Sequence, residues 1–333
     1  MASPHVSGSR AGGSPVASSG ANAGADRTTP GRIGLPIFVD GMAALIDRHP
    51  YDAFIVDLWG VIHDGEQPLP GVIEGLTMLR DAGKVVCLLS NAPRRAETVA
   101  ARMREIGIDD GLYTHLLTSG EATHTALSDR PDAFHQSLGH RVLHIGPPRD
   151  VDTVSAPGLV PVERAADASF VLVTGIDDPD ETVADYADVL ADAAAHGLPM
   201  VCANPDLVVV AGGFRAICAG ALATHYESLG GKVAYHGKPH APVYDLCRSM
   251  ITRTLAGRGV AAPRILGVGD AFRTDILGAH NAGLDSMLVT GHGIHTGDLG
   301  IDADGRPDPV KLEAAIEEFG LRPTLVMPGF RPA

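Results

Sequence analysis

Three short apolar runs in this chain each lead into polar residues, and this pattern constrains the fold more than any other. Phe54-Ile-Val56 leads into Asp57, the run at 85–89 leads into Ser90-Asn91, and the run at 265–269 leads into Asp270. Short, continuously apolar segments are typical of parallel strands that are buried on both faces. Functional groups collect at the carboxyl ends of such strands. The sequence therefore predicts an α/β fold whose parallel sheet carries polar residues along its carboxyl edge.

Strand and helix patterns lie on both sides of a long central stretch that has a pattern of its own. The outer parts contain five predicted strands, at 53–56, 85–89, 113–118, 264–268 and 286–289. The central stretch contains predicted strands and helices at 142–145, 170–174, 180–196, 200–202 and 215–229, so it is an inserted domain rather than a loop. We predict a doubly wound, Rossmann-like core at 36–118 and 236–333, an inserted α/β cap domain at 119–235, and a disordered tail at 1–35.

The composition excludes several classes of partner. The net charge of −14 opposes non-specific binding to nucleic acid or to anionic membranes, because like charges repel. No apolar stretch is long enough to span a bilayer. The four cysteines are widely separated and form no C-x-x-C pair, which fits a reducing compartment better than a disulfide framework or a zinc site. We therefore expect a cytoplasmic protein without nucleic-acid or membrane partners, and the sequence leaves a homo-oligomer open.

The carboxylates that follow the predicted strands suit a metal ion. A carboxylate at a strand end, such as Asp57, can attack phosphorus or ligate a metal, although a lone aspartate there is more often a turn or cap residue. Asp270 is its natural partner, because Gly267 and Gly269 let the backbone approach closely. Asp275 follows about one helical turn later and can ligate the metal or favour a helix N-terminus. An all-oxygen ligand set suits Mg²⁺ better than zinc.

A hydroxyl and a lysine extend this set toward a phosphoryl group. Ser90 and the neighbouring backbone N–H groups can hold a phosphoryl oxygen, or Ser90 can be an ordinary turn serine. Lys238, between Gly237 and Pro239, can neutralise the charge that builds in a phosphoryl-transfer transition state, although many turns contain Gly-Lys-Pro. Each signal is weak alone, and their conjunction is far more specific.

At this point the chain resembles the haloacid dehalogenase (HAD) superfamily, and in particular its class IIA members, which insert a large α/β cap between the second and third motifs. The resemblance covers nearly everything from about residue 50 to 300. It includes Asn204-Pro205-Asp206, which is similar to the cap signature of that class. The resemblance implies that the cap selects the substrate, with Asn204 and Asp206 as candidate contacts.

The resemblance also implies roles for the core residues. Asp57 is then the nucleophile that forms an aspartyl-phosphate, Lys238 is the stabilising cation, and Ser90 binds the phosphoryl group with Asn91 beside it as a substrate-binding residue. The implied Mg²⁺ ligands are Asp57, Asp270 and the main-chain carbonyl of Trp59, with Asp275 in support.

Trp59 departs from the pattern of the phosphatase members, which carry an aspartate two residues after the nucleophile. That aspartate protonates the leaving oxygen and later deprotonates the attacking water, and such help is typically worth about 10²–10⁴-fold. Tryptophan can do neither, although its carbonyl can still ligate a metal. The substrate can have a good leaving group, His63 or Asp64 can replace the acid, or the protein can bind a phosphorylated ligand without turnover. Trp59 itself is either a core aromatic or a wall of the substrate site.

The sequence therefore favours an Mg²⁺-dependent HAD-type hydrolase, a phosphatase that acts on a small phosphorylated metabolite. One alternative is a non-catalytic protein that binds a phosphorylated ligand. A dehalogenase is a weaker alternative, because those enzymes also lack the second aspartate but do not need the metal-binding set that Asp270 and Asp275 preserve.

Overall fold

The computed structural model describes residues 36–211 and 214–333, and the predicted tail at 1–35 lies outside this part of the chain. The strands of the described residues are, in chain order, β1 (Ile37–Phe38), β2 (Ala53–Val56), β3 (Val85–Ser90), β4 (His115–Thr118), β5 (Arg141–Ile145), β6 (Val160–Val162), β7 (Phe170–Val173), β8 (Met200–Cys202), β9 (Val208–Ala211), β10 (Phe214–Ile217), β11 (Val233–Tyr235), β12 (Ile265–Gly269), β13 (Asp285–Val289) and β14 (Leu325–Met327).

The α-helices of the described residues are α1 (Met42–Arg48), α2 (Val72–Asp81), α3 (Ala96–Glu105), α4 (Ser119–Asp129), α5 (Ala133–Ser137), α6 (Val151–Val154), α7 (Ala187–Ala195), α8 (Ala219–Ser228), α9 (Ala241–Ala256), α10 (Leu277–Asn281) and α11 (Pro309–Phe319). A π-helical turn at Phe272–Ile276 precedes α10. In the described residues, no helix is both long enough and apolar enough to cross a bilayer.

The larger sheet is parallel throughout and has the strand order β1-β14-β13-β12-β2-β3-β4. From β2 the chain proceeds outward to β3 and β4, and it later returns to β12 on the other side of β2. The order therefore reverses between β2 and β12. In open α/β sheets, ligands bind outside the carboxyl ends of the strands at such a reversal. The sequence places Asp57 directly after β2 and Asp270 directly after β12, so both lie at this position.

The smaller sheet takes all of its strands from residues 141–235 and is also parallel, in the order β11-β8-β7-β5-β6. It has its own hydrophobic clusters, which include Phe170, Leu190 and Tyr226. These residues form an α/β cap inserted into a doubly wound, Rossmann-like core, and this arrangement confirms the predicted fold class.

Helices cover both faces of the core sheet because each carries apolar residues at helical spacing. In α2, Val72, Leu76 and Leu79 recur at intervals of four and three residues and are buried. They pack in one cluster with α1 and α3. The opposite face of the sheet packs against α9 through a second cluster that includes Val243 and Ile251. The two clusters fix the strands whose ends carry the polar residues.

The predicted helix at 215–229 is wrong in its first turn, because Phe214–Ile217 is strand β10, paired antiparallel with β9. Helix α8 begins only at Ala219. The sequence carries the signal for this hairpin, since Gly212-Gly213 separates a run of three valines from a second apolar run, and a Gly-Gly pair between such runs favours a hairpin. The described residues also contain short strands that the sequence analysis did not predict, among them the edge strand β1 and its neighbour β14.

A buried pair of histidines lies where the chain passes from the smaller sheet back to the core. Nε2 of His236 lies 3.0 Å from Nε2 of His135, and Nδ1 of His135 lies 2.8 Å from the Asp132 carboxylate. His236 is only 6% exposed. Burial, and then the neighbouring His135, lower the pKa of His236 to about 4.

We expect this histidine to destabilise the protein in mild acid. In the unfolded chain the pKa is about 6.5, so the unfolded state binds more protons than the folded state between pH 6.5 and about 4. The free energy of unfolding should therefore fall by up to about 3 kcal/mol as the pH drops through this window, and His236 should contribute no slope above it.

Urea unfolding at pH 7.5, 5.5 and 4.5 measures this effect, with His236→Gln as the test variant. The pH dependence of stability should become shallower in that variant but not in His196→Gln, which changes an exposed histidine. An unchanged slope in His236→Gln would contradict the assignment.

Candidate active site

The core strands bring Asp57 and Asp270 together at the reversal of strand order. The backbone N–H of Asp57 donates to the carbonyl of Val268 at 2.9 Å, so the chain leaves β2 in register with β12. A side chain at Gly269 would collide with the Asp275 carboxylate, so glycine lets Asp275 approach the strand end. One carboxylate oxygen from each of Asp57, Asp270 and Asp275 lies within 4.8 Å of the others. In the part of the chain that the structure describes, no other group of three potential ligands meets this condition.

Lys238 lies against two of these carboxylates. Its Nζ donates to Oδ1 of Asp57 and to Oδ1 of Asp275, the latter at 2.7 Å. The lysine is 3% exposed, and its partners are almost as deeply buried. Burial alone would lower the pKa of Lys238, but the carboxylates of Asp275 and Asp57 raise it well above its usual value, so the ammonium form persists.

One lysine does not balance three buried carboxylates. Burial raises the pKa of Asp57 well above its usual value, and Lys238 only partly opposes this effect. Burial, and then repulsion from Asp275, raise the pKa of Asp270 to about 7. Both shifts have one cause, since negative charge is held away from water without enough positive charge to compensate it.

The charge excess and the donor chemistry fit a divalent cation. Three carboxylates and one ammonium leave two negative charges, which one divalent ion would neutralise. The donors are oxygens, and oxygen-only sites suit hard cations such as Mg²⁺. The Gly60 backbone, which has φ +76°, also borders this group, since a Cβ there would lie 2.6 Å from Oδ2 of Asp270. Trp59, whose carbonyl is a predicted metal ligand, directly precedes Gly60 in the chain.

A loop that the sequence analysis did not assign to the site completes the surroundings of Asp270. The backbone N–H of Ile294 donates to Oδ2 of Asp270 at 2.7 Å, and a Cβ at Gly293 would collide with the same aspartate. This loop follows β13, the strand next to β12. The loop lies beside Asp270 because β13 pairs with β12, and a local sequence pattern does not show which strands pair.

Ser90 is the last residue of β3, the next strand along the sheet, and Asn91 follows it. Oγ of Ser90 accepts a hydrogen bond from the backbone N–H of Ala92 at 3.2 Å, as in a turn. Asn91 is more extensively bonded, because its Oδ1 accepts from the backbone N–H of Lys238 at 2.7 Å while its Nδ2 donates to the carbonyl of Lys238 at 3.1 Å. The amide of Asn91 therefore fixes the backbone that carries the lysine.

The same asparagine links the core to the cap. Nδ2 of Asn91 also donates to Oδ1 of Asp206 at 2.8 Å. Asp206 lies in the loop after β8, and its backbone N–H donates to the side chain of Asn204 at 3.0 Å. Burial raises the pKa of Asp206. The structure thus brings Asp206 to the core site, while the Asn204 side chain bonds to Asp206 in its own loop and to Cys218.

Trp59 and His63 lie beside the site in the turn after β2. Their rings meet edge to face, with centroids 5.9 Å apart and planes at 87°. A side chain at Gly65 would collide with the Trp59 ring, so the indole covers this turn. Trp59 is half-buried. It therefore supports the turn and also reaches the surface beside the carboxylates.

The two candidate replacements for the missing acid differ in their surroundings. Nδ1 of His63 accepts a hydrogen bond from the backbone N–H of Gly65 at 3.0 Å. Burial lowers the pKa of this half-buried histidine. Asp64 is exposed, and its Oδ1 accepts from the backbone N–H groups of Gln67 and Glu66, which lower its pKa. Asp64 thus has the contacts of a turn-forming aspartate.

Two protein-family models match parts of this chain. A family model described as haloacid dehalogenase-like hydrolase matches residues 54–160, and a second, described as HAD-hydrolase-like, matches residues 235–315. The first match contains Asp57 and Ser90, and the second contains Lys238, Asp270 and Asp275.

Individual relatives agree with the family models. A hydrolase of the haloacid dehalogenase-like family from Brucella suis has a solved structure that is 32% identical, with a TM-score of 0.71, and the match covers 87% of this chain and 98% of the other. D-glycerol 3-phosphate phosphatase of Mycobacterium tuberculosis is 30% identical over 74% of this chain, and the match spans 65% of that enzyme's length.

A glycerol phosphate phosphatase from Mycobacterium tuberculosis, solved in complex with magnesium, is 27% identical. Its TM-score is 0.55, and the match covers 82% of this chain and 79% of the other. The identity and coverage of the Brucella hydrolase, together with the two family models, show that the chain belongs to the haloacid dehalogenase-like hydrolase family.

Proposed function

We propose that this protein is a metal-dependent phosphatase that removes a phosphoryl group from a small phosphorylated metabolite through an aspartyl-phosphate at Asp57. The observation that carries the proposal is the buried set of Asp57, Asp270 and Asp275 against Lys238, at the reversal of strand order in the core. Relatives with phosphatase names support the same chemistry.

The proposed reaction has two steps. In the first, a carboxylate oxygen of Asp57 attacks phosphorus, the bond from phosphorus to the substrate oxygen breaks, and that oxygen leaves with the bonding pair. In the second, water attacks phosphorus, the bond to Asp57 breaks, and the carboxylate is restored with release of phosphate. Lys238 stabilises the negative charge around phosphorus in both transition states, because its ammonium group is already held beside Asp57. Ser90 and the nearby backbone would hold the phosphoryl oxygens.

Asp57, Asp270 and the carbonyl of Trp59 would hold the metal, with Asp275 in support, and we propose Mg²⁺ as the ion. When bound, it would neutralise the excess charge of the carboxylates and of the phosphoryl group. Its removal by a chelator should abolish the activity.

Trp59 restricts which substrates can react well. The first step needs a proton on the leaving oxygen unless that oxygen leaves readily as an anion, as in an aryl or acyl phosphate. In the neutral ring of His63, the hydrogen lies on Nε2, because Nδ1 accepts from Gly65. His63 could therefore donate a hydrogen bond to the leaving oxygen, whereas Asp64 is held in its turn. Of His63 and Asp64, we therefore propose His63 as the replacement for the missing general acid.

The cap would select the substrate. We propose that it comprises residues 119–235 and that Asn204 and Asp206 contact the ligand together with Asn91 and Trp59. The Asn91–Asp206 hydrogen bond supports this proposal, because it joins the cap loop after β8 to the core loop after β3.

One alternative function rests on a specific observation. Trp59 removes the general acid, so the protein could bind a phosphorylated ligand and a metal without turnover. A dehalogenase is less favoured, because the buried carboxylates are arranged for a cation that such a reaction does not need.

Hydrolysis of p-nitrophenyl phosphate tests the proposal directly, because p-nitrophenolate leaves without a proton and so bypasses the missing acid. With Mg²⁺ the wild type should release p-nitrophenol, and Asp57→Asn should lower kcat by at least about a thousandfold through loss of the nucleophile. Asp64→Asn, a matched change at the exposed turn aspartate, should leave the rate within a few-fold. An inactive wild type that still binds Mg²⁺ would favour the binding-protein alternative.

Replacement of Trp59 tests the role of the missing acid. If the acid limits the rate, Trp59→Asp should raise kcat for an alkyl phosphate such as glycerol 3-phosphate by about tenfold or more, and it should change p-nitrophenyl phosphate hydrolysis less. Trp59→Asn is the matched control, because it removes the same ring contacts with His63 but offers no acid. Equal rates in the two variants would show that the acid is not limiting.

A further inference from the structure

The cap sheet has a reversal of strand order of its own. From β5 the chain moves outward to β6, and it then returns to β7 on the other side of β5 before it continues to β8 and β11. The order is that of a flavodoxin-like sheet, in which ligands bind outside the carboxyl ends of the first and third strands. In the cap these ends are at Ile145 and Val173.

Polar side chains of the cap already occupy that position. Nε2 of His144 lies 2.9 Å from Oγ1 of Thr174, and Thr174 also hydrogen-bonds to the carboxylate of Asp150. Thr174 and Asp150 are only 1% and 2% exposed. A side chain at Gly146 would collide with Thr174. Because the inner part of this position is filled, a ligand can be recognised only at its rim.

Arg94 lies at the rim and comes from the core. Its Nε lies 3.4 Å from Oδ1 of Asp150, and its side chain is 41% exposed. Among the described residues, no acceptor bonds to its two Nη groups. In the described residues, Nε of Arg331 is the one buried side-chain nitrogen or oxygen that lacks a hydrogen-bond partner. The Nη groups of Arg94 also lack an acceptor, so they are not buried and are accessible to solvent. Asp150 thus holds one side of the guanidinium and leaves the two terminal N–H groups available.

The rim lies close to Asn91, in the core loop that follows β3. Arg94 is three residues after Asn91, so their Cα atoms are at most about 11 Å apart. The loops after cap strands β8 and β5 meet the core at Asn91 and Arg94 respectively, through Asp206 and Asp150. The loops at the carboxyl edge of the cap sheet therefore contact the core within the short segment 91–94.

We propose that Arg94 is a specificity-determining residue that binds a carboxylate on the substrate, so that the preferred substrates are small phosphorylated carboxylic acids. The inference rests on the proposed function for the phosphoryl end of the ligand. Two parallel N–H groups of a guanidinium match the two oxygens of a carboxylate. Charge-assisted pairs of this kind favour a carboxylate over a neutral group by about 10–100-fold in affinity.

The neighbouring arginine provides a matched control. Nε and Nη2 of Arg95 donate to the two carboxylate oxygens of Glu121 at 2.7 and 3.1 Å, so that guanidinium is already occupied. Arg94→Gln and Arg95→Gln remove the same charge at adjacent positions. Only the first removes a guanidinium whose two Nη groups both lack a protein acceptor, since Nη2 of Arg95 is bonded to Glu121.

Calorimetric titration with 3-phosphoglycerate and glycerol 3-phosphate tests the proposal, because these ligands differ only in a carboxylate against a hydroxymethyl group. An Asp57→Asn background with Mg²⁺ prevents turnover. The Kd for 3-phosphoglycerate should be at least about tenfold lower than that for glycerol 3-phosphate. Arg94→Gln should abolish most of this ratio by weakening 3-phosphoglycerate alone, and Arg95→Gln should preserve it.

Three results would overturn the proposal. The first is equal affinity for the two ligands, or no binding of either. The second is a Kd ratio that persists in Arg94→Gln. The third is an equal loss of affinity for both ligands in that variant, which would indicate that Arg94 only holds the cap. Hydrolysis of p-nitrophenyl phosphate by the wild type separates this failure from failure of the proposed function. An active phosphatase without the affinity ratio would refute only the role of Arg94, and an inactive protein with the ratio would refute only catalysis.

Discussion

Repulsion among three buried carboxylates is the constraint on which the rest of the site depends. Asp57, Asp270 and Asp275 meet in a space from which water is largely excluded, and Lys238 supplies only one compensating charge. A folded protein tolerates such an arrangement only where other forces hold it in place. Here the parallel strands β2 and β12 hold the first two aspartates, and Asn91 fixes the backbone at Lys238. The remaining negative charge is what a bound cation would neutralise.

The second organising feature is that two parallel sheets present their carboxyl edges to the same loop. The segment from Asn91 to Arg95 follows core strand β3, and it contacts the cap through Asn91 and Arg94. In the proposed function, chemistry and selection are divided between the two sheets. The core would act on the phosphoryl group, while the cap carries loops that can differ without disturbing the core residues. The buried pair of His135 and His236 lies where the chain returns from one sheet to the other.

Much of the fold was predictable because the signals were local. The apolar runs before Asp57, Ser90 and Asp270 are strands with nearly the predicted bounds, since burial on both faces demands continuous apolar sequence. The hairpin of β9 and β10 was missed because its second strand merges into the pattern of helix α8. The contact of Ile294 with Asp270 and the position of Arg94 against Asp150 were not predictable, because each depends on which strands are neighbours and on how the cap meets the core. Single-sequence patterns report periodicity and turns, but not these long-range contacts.

Calorimetric titration of Mg²⁺ tests the central claim, which is that the uncompensated carboxylates form a divalent-metal site. Asp270→Asn is the most informative variant, because it removes one carboxylate without removing a partner of Lys238. The lysine bonds to Asp57 and Asp275, and both remain in this variant. Asp206→Asn is the control, since it removes a nearby carboxylate that bonds to Asn91 and lies outside the group of three. The account predicts one Mg²⁺ per chain in the wild type and in Asp206→Asn, and an affinity at least about tenfold weaker in Asp270→Asn. Absence of binding in the wild type, or equal affinity in all three proteins, would contradict it.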